Sequence, residues 1–533
     1  MTVTDRAPWC GAGGWELGKI DARDLLGVLL ALVIWLPLIL CPFTRDQYVF
    51  MWMGAHWLDG SWPYSDLVDT KPPLIFAWNA LAQLLFGRST IAIRLLDMIS
   101  AIGTGVMVAH IVAFPRPVKA GEWGLSILVT TGLYGGLMSW FGTAQVEFPM
   151  GVCLLLGWHY GRQGGVRAAA QAGLWVALAC CWKTPAVVAG LYPFGLVMWR
   201  TARGSRLRAG FIFVAAGLGI TAICVAPFAL TGRLWDLYEV QILMALRYAA
   251  DPPVRMLWDW WWTSYTPLFW QAMSVLLLVS FISLPPRTRL PNLHWPLMFG
   301  ALVATVAFQG RYSPYHWGMI LPFLGAMMVW ALAQGGRNLN MQWILALLAL
   351  GGALLEAELY VPTPYPGSFH QTWWSAVEFA RGEQSREVFH HQFRTIHLFN
   401  VQQQEEVVAT LNHLARPGDH LYAPGYEPYL YLGTGMEPSS RFFADSHLKW
   451  QPAPPEWTDE HREALLDLPP AFVVLRDEVL QRGSPFDWTE ITGRGYIRGP
   501  RVAGFWIWIK ADHPAAQGAD WPGIAPQNTG DAG

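Results

Sequence analysis

Long apolar runs repeat along the first two thirds of this chain and limit what it can fold into more than any other feature. The first, "LLGVLLALVIWLPLIL" (Leu25–Leu40), contains no charged residue. A transmembrane helix needs about 20 mostly apolar residues. Only 14% of the residues are charged, whereas soluble proteins average about 25%. We therefore predict an all-α polytopic membrane domain over residues 1–362.

The runs predict about eleven transmembrane helices. They lie near residues 24–42, 91–114, 123–141, 146–161, 169–182, 185–199, 209–231, 266–284, 295–309, 317–334 and 342–360. The first run is too long for a signal-peptide core and lacks a small-residue cleavage site after it, so we expect it to be a retained span.

Charge alternates in sign between successive loops. One set of loops is basic: Arg116, Lys119, Arg162, Arg167, Arg200, Arg203, Arg206, Arg208, Arg287, Arg289 and Arg337. By the positive-inside rule these loops face the cytoplasm. The N-terminus is then cytoplasmic, and an odd number of spans leaves the C-terminal region outside. The other loops hold the acids Asp46, Asp59, Asp66, Asp69, Glu147, Asp236, Glu239, Asp251 and Asp259. We therefore expect the chemistry at the outer face.

The first outer loop, residues 43–76, gathers several charges beside a membrane span. "DQYVFMWMGAHWLDG" predicts a short helix on the membrane surface, with Thr44 and Gln47 at capping-box spacing. Asp46 is either a first-turn acid that complements the helix dipole or a functional acid. Lys71 precedes two prolines, so it lies at the entrance to the next helix. It either extends towards water or binds a phosphate.

The C-terminal region, residues 363–512, has the polar composition of a soluble domain. "VQQQEEVVATLNHLA" has apolar residues spaced for one helix face. "HLYAP", "AFVVLRD" and "AGFWIWIK" are typical of β-strands. Alternating helix and strand predict a small α/β domain, which we interpret as a lid or docking domain. The tail, residues 513–533, is rich in Ala, Gly and Pro and is expected to be disordered.

The order of several motifs resembles a known family. Asp46 and "GSWPYSDLVDTKPPL", followed by an apolar stretch and "AIRLL", are similar to the start of GT-C-type membrane glycosyltransferases. The bacterial protein O-mannosyltransferase and lipid A aminoarabinose transferase groups belong here, and they use polyprenyl-phosphate-linked sugars. "GTAQVEFPMGVCLLL" is similar to the family's second outer acid, "ACCWKTPAVVAGLYPF" to a lysine-containing turn, and "QGRYSPYHWGMILPFLG" to a late Tyr/His loop. Most of the chain is covered by these matches.

The resemblance implies roles for particular residues. Asp46 would be the general base and Glu147 the second acid. Lys71 would contact the donor's lipid phosphate. The other residues expected to bind donor or substrate are Asp66, Asp69, Lys183, Arg311, Tyr312, Tyr315 and His316. Asp66 and Asp69 could equally be solvated loop acids, and Lys183 could serve only to reach headgroups.

The same resemblance implies the partners and location. The donor would be a polyprenyl-phosphate-linked sugar and the acceptor a glycan, lipid or protein, handled among membrane lipids in a bacterial inner membrane. No cofactor is certain, and a divalent metal stays open. The alternative is a transporter or flippase of a lipid-linked sugar, which should carry internal repeats and polar residues at mid-membrane. A net charge of −2 gives no basic surface for nucleic acid, and the six cysteines give no disulfide framework.

Overall fold

The computed structural model describes residues 20–250, 292–310, 313–334, 339–360, 369–394, 399–444, 448, 453–476 and 495–517. Up to residue 250 its helices are α1 (Ala22–Leu40), α2 (Arg45–Leu58), α3 (Pro73–Phe86), α4 (Thr90–Ala113), α5 (Glu122–Gly142), α6 (Glu147–Gly161), α7 (Val166–Trp182), α8 (Ala186–Arg200), α9 (Arg206–Leu230), α10 (Leu234–Tyr238) and α11 (Ala245–Ala250). A 3-10 turn at Arg203–Ser205 precedes α9, and a π-helical segment at Glu239–Met244 joins α10 to α11.

The later apolar helices are α12 (His294–Gln309), α13 (Leu321–Gln334) and α14 (Leu339–Tyr360), with a 3-10 segment at Pro314–Ile320 leading into α13. Ten of the predicted spans coincide with helices of the structure. The eleventh, residues 266–284, lies outside the described residues, so the total count stays a prediction. The chain is a multi-pass membrane protein, as its apolar helices indicate.

The apolar helices differ in length. Five helical segments in the described part of the chain are long and apolar enough to cross a membrane: Ala22–Leu40, Thr90–Ala113, Glu122–Gly142, Arg203–Leu230 and Tyr315–Ala333. Several others, such as α7 and α8, have 15 to 17 residues. At 1.5 Å per residue these reach only about 22–26 Å, less than the roughly 30 Å of a bilayer core. Loops between such short helices therefore sit deeper than loops between full-length spans.

Helix α2 forms where the sequence predicts it, but it is not an exposed surface helix. Its residues from Gln47 to Ala55 are buried. The Gln47 side-chain oxygen accepts the Thr44 N–H at 2.7 Å, as the capping-box spacing predicts. One side of α2 packs on α3, and Trp52 stacks on Tyr431 of the C-terminal domain with ring centroids 5.2 Å apart. The aromatic residues of α2 are thus used to seat the C-terminal domain.

The C-terminal domain is α/β, as its sequence pattern predicts. Its helices are α15 (Phe369–Ala380), α16 (Arg386–His391), α17 (Val401–Leu414), α18 (Pro428–Thr434), α19 (Pro455–Asp467) and α20 (Pro514–Gln517). The described strands are β1 (His420–Tyr422), β2 (Glu437–Pro438), β3 (Phe472–Arg476), β4 (Tyr496–Val502) and β5 (Phe505–Lys510). They form one sheet in the order β2-β1-β3-β5-β4. Strand β1 is parallel to β2 and β3, while β5 is antiparallel to β3 and β4.

An ion pair at the buried residue Glu427 joins this domain to the membrane domain. The Glu427 carboxylate accepts from Arg45 of α2 at 2.9 Å and lies 3.1 Å from Arg476 of β3. Glu427 is only about 5% exposed, so it depends on both cations for compensation. The start of α2 and the edge of the C-terminal domain are therefore held together at one end of the helical bundle.

Helices α1 and α5 approach each other closely through two glycines. A Cβ atom added to Gly27 would lie 2.2 Å from the Gly124 carbonyl oxygen, and one on Gly124 would lie 2.5 Å from the Arg23 carbonyl oxygen. Small residues at such crossings let helix backbones approach in a membrane. This contact fixes the spacing of the two helices whose ends carry the loops of the candidate site.

We predict that Gly27→Ala destabilises the protein by about 1–3 kcal/mol, because the methyl group must displace the backbone of α5. Thermal unfolding in detergent would measure the loss. Gly103→Ala in α4 is the matched control, since a Cβ atom there meets nothing within 4 Å. Equal unfolding temperatures for the two variants would contradict the close approach of α1 and α5.

Candidate active site

The first charged pair of the candidate site joins the start of α2 to the start of α3. Asp46 lies in the first turn of α2, and Lys71 lies just before the prolines that begin α3. The Lys71 ammonium is 3.8 Å from an Asp46 carboxylate oxygen and 5.6 Å from the centre of the Phe50 ring. Both side chains remain partly exposed, at 16% and 24%. The pair is thus close enough to attract but open enough to accept another polar group.

The surroundings keep Lys71 positively charged. Burial is the largest single influence and lowers the pKa of Lys71, but Asp46, Tyr315, Asp69 and Glu147 together raise it by more. The net shift of the pKa is upward. A lysine with this environment is a fixed cation at any physiological pH, which suits an anionic ligand.

The second charged pair lies at the start of α6. The Lys183 ammonium donates to a Glu147 carboxylate oxygen at 2.6 Å, and His316 Nε2 lies 3.9 Å from the same oxygen. Glu147 is about 1% exposed. Burial lowers the pKa of Lys183, and the Glu147 carboxylate offsets this only in part. Lys183 is the direct partner of Glu147, and its expected contact with a phosphate or a headgroup stays a prediction.

Tyr315 stands between the two pairs. The Lys183 ammonium lies 6.0 Å from the centre of the Tyr315 ring, and Tyr315 is also near enough to Lys71 to interact with it electrostatically. The turn of 3-10 helix at Pro314–Ile320 brings Tyr315 and His316 to this end of the bundle together. The structure thus gathers Asp46, Lys71, Glu147, Lys183, Tyr315 and His316 from five separate segments of the sequence.

The other residues that the sequence predicts to bind donor or substrate are Asp66, Asp69, Arg311 and Tyr312. Asp69 is fully buried and one of its oxygens accepts the Lys71 backbone N–H at 2.9 Å. Asp66 is exposed, caps the Trp62 N–H at 2.6 Å and lies 3.9 Å from Arg233. Neither of these partners of Asp66 belongs to the charged cluster. Arg311 and Tyr312 lie outside the described residues, so their roles stay predictions.

A buried arginine holds the two acid-bearing loops against each other. Arg94 of α4, the arginine of "AIRLL", is fully buried. Its guanidinium donates to the carbonyls of Cys41 at 3.2 Å and Pro42 at 2.9 Å, where the chain leaves α1. It also donates to the Trp140 carbonyl at 3.0 Å and the Thr143 hydroxyl at 2.6 Å, where the chain leaves α5. Most of the Arg94 hydrogen bonds therefore go to backbone carbonyls.

The last turn of α5 and the segment that follows it are strained and supported by neighbouring polar groups. Ser139 and Ala144 have positive φ angles of 48° and 57°, which cost about 1–3 kcal/mol each for residues with a side chain. Asp97, one helical turn after Arg94, accepts the Ala144 N–H at 2.8 Å. The Gln47 amide donates to the Thr143 carbonyl. This strained segment leads straight into Glu147, so its supports determine where that acid sits.

No metal site emerges among the residues that the structure describes. None of their His, Cys, Asp and Glu side chains forms a group of three or more suited to a metal ion. The acids of the cluster are instead paired with lysines, which compete with a cation.

An all-helical membrane domain with a charged cluster at one end and a C-terminal α/β domain is the architecture expected of the GT-C class. A solved structure confirms this fold: the chain is similar to ArnT from Cupriavidus metallidurans bound to undecaprenyl phosphate, with a TM-score of 0.54 and 14% identity. The likeness covers 92% of this chain and 98% of ArnT. No family model and no curated protein matches the sequence.

Two weaker likenesses are to the oligosaccharyltransferase of Archaeoglobus fulgidus. One is its complex with Zn and sulfate (TM-score 0.44, 10% identity, 92% of this chain and 73% of that one). The other is AglB with an inhibitory peptide and a dolichol-phosphate (TM-score 0.41, 11% identity, 92% and 74%). They add nothing to the assignment of the fold.

We predict that Lys183→Met destabilises the protein by about 3 kcal/mol, because it leaves the buried Glu147 carboxylate without its partner. The double variant Glu147→Gln with Lys183→Met removes both charges and should recover much of this loss. Thermal unfolding in detergent compares the variants. A double variant as unstable as Lys183→Met would contradict an ion pair between these side chains.

Proposed function

We propose that the protein is a membrane glycosyltransferase that moves a sugar from a polyprenyl-phosphate donor to an acceptor at the outer face of the membrane. The observation that carries this proposal is the gathering of a carboxylate, Asp46, and a fixed cation, Lys71, 3.8 Å apart and partly open to solvent. A fold similar to that of ArnT, whose structure holds undecaprenyl phosphate, supports the choice of a lipid-linked donor.

The two members of this pair suit the two halves of the reaction. The donor phosphate becomes more negative as the bond from the sugar's anomeric carbon to the phosphate oxygen breaks. Lys71 can stabilise that charge, as fixed cations do for developing anions. Asp46 can take the proton from the acceptor hydroxyl as its oxygen bonds to the anomeric carbon. The products are the glycosylated acceptor and polyprenyl phosphate, which leaves with the electron pair.

The second charged pair, Glu147 and Lys183, lies beside the first and supports it without contributing a net charge. Glu147 and Lys183 neutralise each other at 2.6 Å, so together they add a polar wall without a net charge. Tyr315 lies between this wall and Lys71. We infer that Glu147 orients Lys183 and the Tyr315–His316 turn beside Lys71.

The charge of the loops supports an outer location for the site. The opposite end of the bundle carries Arg116, Arg200 and Arg206, in loops that the positive-inside rule assigns to the cytoplasm. The site and the C-terminal domain then face the outer side of the membrane. Lipid carriers present their sugars on that side, and no nucleotide is required there.

We predict that Asp46→Asn lowers kcat at least about 100-fold, because the amide cannot accept the hydroxyl proton. Purified protein in lipid vesicles would be incubated with a panel of polyprenyl-phosphate sugars, and release of polyprenyl phosphate would be followed. Asp59→Asn is the matched control, since Asp59 lies exposed at the other end of α2 and pairs with Arg88, and it should change kcat less than about twofold. Equal turnover in Asp46→Asn and wild type would refute Asp46 as the base.

Lys71→Met should raise the KM for the donor about 10- to 100-fold, because the phosphate loses a charge-assisted hydrogen bond. The measurement is the dependence of turnover on donor concentration in the same vesicles.

The same vesicles distinguish the proposed glycosyltransferase from the alternative function, a flippase. A protein that moves the lipid-linked sugar across the membrane without consuming it would be a flippase, and the proposed transfer reaction would then be wrong.

A further inference from the structure

One side chain of the C-terminal domain reaches the candidate site. The Tyr426 hydroxyl donates to an Asp69 carboxylate oxygen at 3.1 Å, and the other oxygen of Asp69 accepts the Lys71 backbone N–H. Tyr426 follows β1 in the sequence "YAPGYEP", more than 350 residues away from Asp69. Burial raises the pKa of Tyr426, as do the carboxylates of Asp69 and Asp46, so its hydroxyl keeps the proton that it donates.

The same domain also holds the backbone of the loop that presents Lys71. The Arg441 carbonyl accepts the Val68 N–H at 2.9 Å, and the Arg441 guanidinium donates to the Tyr64 carbonyl at 3.1 Å. From the membrane domain, the Tyr64 hydroxyl and the Gln241 amide donate to the Lys71 carbonyl at 2.7 Å and 3.1 Å. Lys71 is thus fixed from both domains, with its ammonium the part left facing Asp46.

Asp69 is the link between the two sets of contacts. It is fully buried, and a buried carboxylate needs hydrogen-bond donors to stay charged. Tyr426 provides one such donor from the C-terminal domain. If this donor is removed, the Asp69 carboxylate loses support on one side while still bonded to the Lys71 N–H on the other. The position of the Lys71 backbone then depends on whether the C-terminal domain is seated.

We propose that Tyr426 is a positioning residue for the donor phosphate: it acts through Asp69 to hold Lys71 where the lipid phosphate binds, so the C-terminal domain completes the donor site. This rests on the proposed function, because Lys71 is assigned to the phosphate there. It gives the C-terminal domain a role in donor binding beyond covering the cavity.

The test compares two tyrosines of the same segment in the full-length protein. Tyr426→Phe removes only the hydroxyl that meets Asp69. Tyr429→Phe removes a hydroxyl that donates to Glu405 within the C-terminal domain at 3.3 Å. We expect Tyr426→Phe to weaken binding of undecaprenyl phosphate, and to raise the donor KM, by about 5- to 10-fold with little change in kcat, as for a lost hydrogen bond to a charged group. Tyr429→Phe should change both by less than twofold.

A double variant tests whether Tyr426 acts through Asp69. Asp69→Asn keeps a side chain of the same size and weakens the link from the other side. If Tyr426 acts through Asp69, Tyr426→Phe added to Asp69→Asn should weaken undecaprenyl phosphate binding no further. Independent, multiplying losses in the double variant would overturn the proposal, as would equal KM values for Tyr426→Phe and Tyr429→Phe at matched unfolding temperatures.

The outcomes separate this proposal from the proposed function. A wild-type protein that neither binds undecaprenyl phosphate nor consumes any polyprenyl-linked sugar would refute both. A wild-type protein that consumes the donor, combined with a Tyr426→Phe variant whose donor KM is unchanged, would refute the role of Tyr426 alone.

Discussion

The buried guanidinium of Arg94 is the interaction on which the candidate site depends most. It satisfies carbonyls at the ends of both α1 and α5, whose last backbone acceptors have no helical partner of their own. A buried charge is tolerated only when it is well bonded, and here the bonds come from the two segments that must meet. The Arg94 side chain thus provides hydrogen-bond donors to the ends of both helices. It also sets the distance between the loops that carry Asp46 and Glu147.

The two charged pairs of the site differ in how closely the partners approach each other. Glu147 and Lys183 are in direct contact at 2.6 Å, whereas Asp46 and Lys71 stay 3.8 Å apart. The first arrangement is suited to structure, because a tight buried pair has little capacity to bind anything else. The second leaves both a carboxylate and a cation able to contact a ligand. The difference between the pairs supports placing the chemistry at Asp46 and Lys71.

The sequence predicted most helices and the acids of the loops because both leave local patterns. Apolar runs reveal spans, and a lysine before two prolines reveals a helix entrance. The Lys183–Glu147 contact was not predicted, since 36 residues separate the partners and either could have faced water. The acceptors of Arg94 were not predictable either, because backbone carbonyls carry no sequence signature. The contact of Tyr426 with Asp69 was not predicted either, because the two residues are far apart in the sequence. The segment that contains Tyr426 was predicted only to belong to the soluble domain.

The position of Tyr426 bears on why the membrane domain carries a soluble domain at all. The loop that presents Lys71 is long and joins two short helices, so by itself it would pay a conformational entropy cost of about 1–2 kcal/mol per ordered residue. Contacts from Arg441 and Tyr426 meet this loop at its backbone and at Asp69. A cation that must bind a phosphate benefits from being fixed beforehand, because less ordering remains for the moment of binding. Docking of the C-terminal domain on α2 therefore supplies preorganisation that the membrane helices alone do not provide.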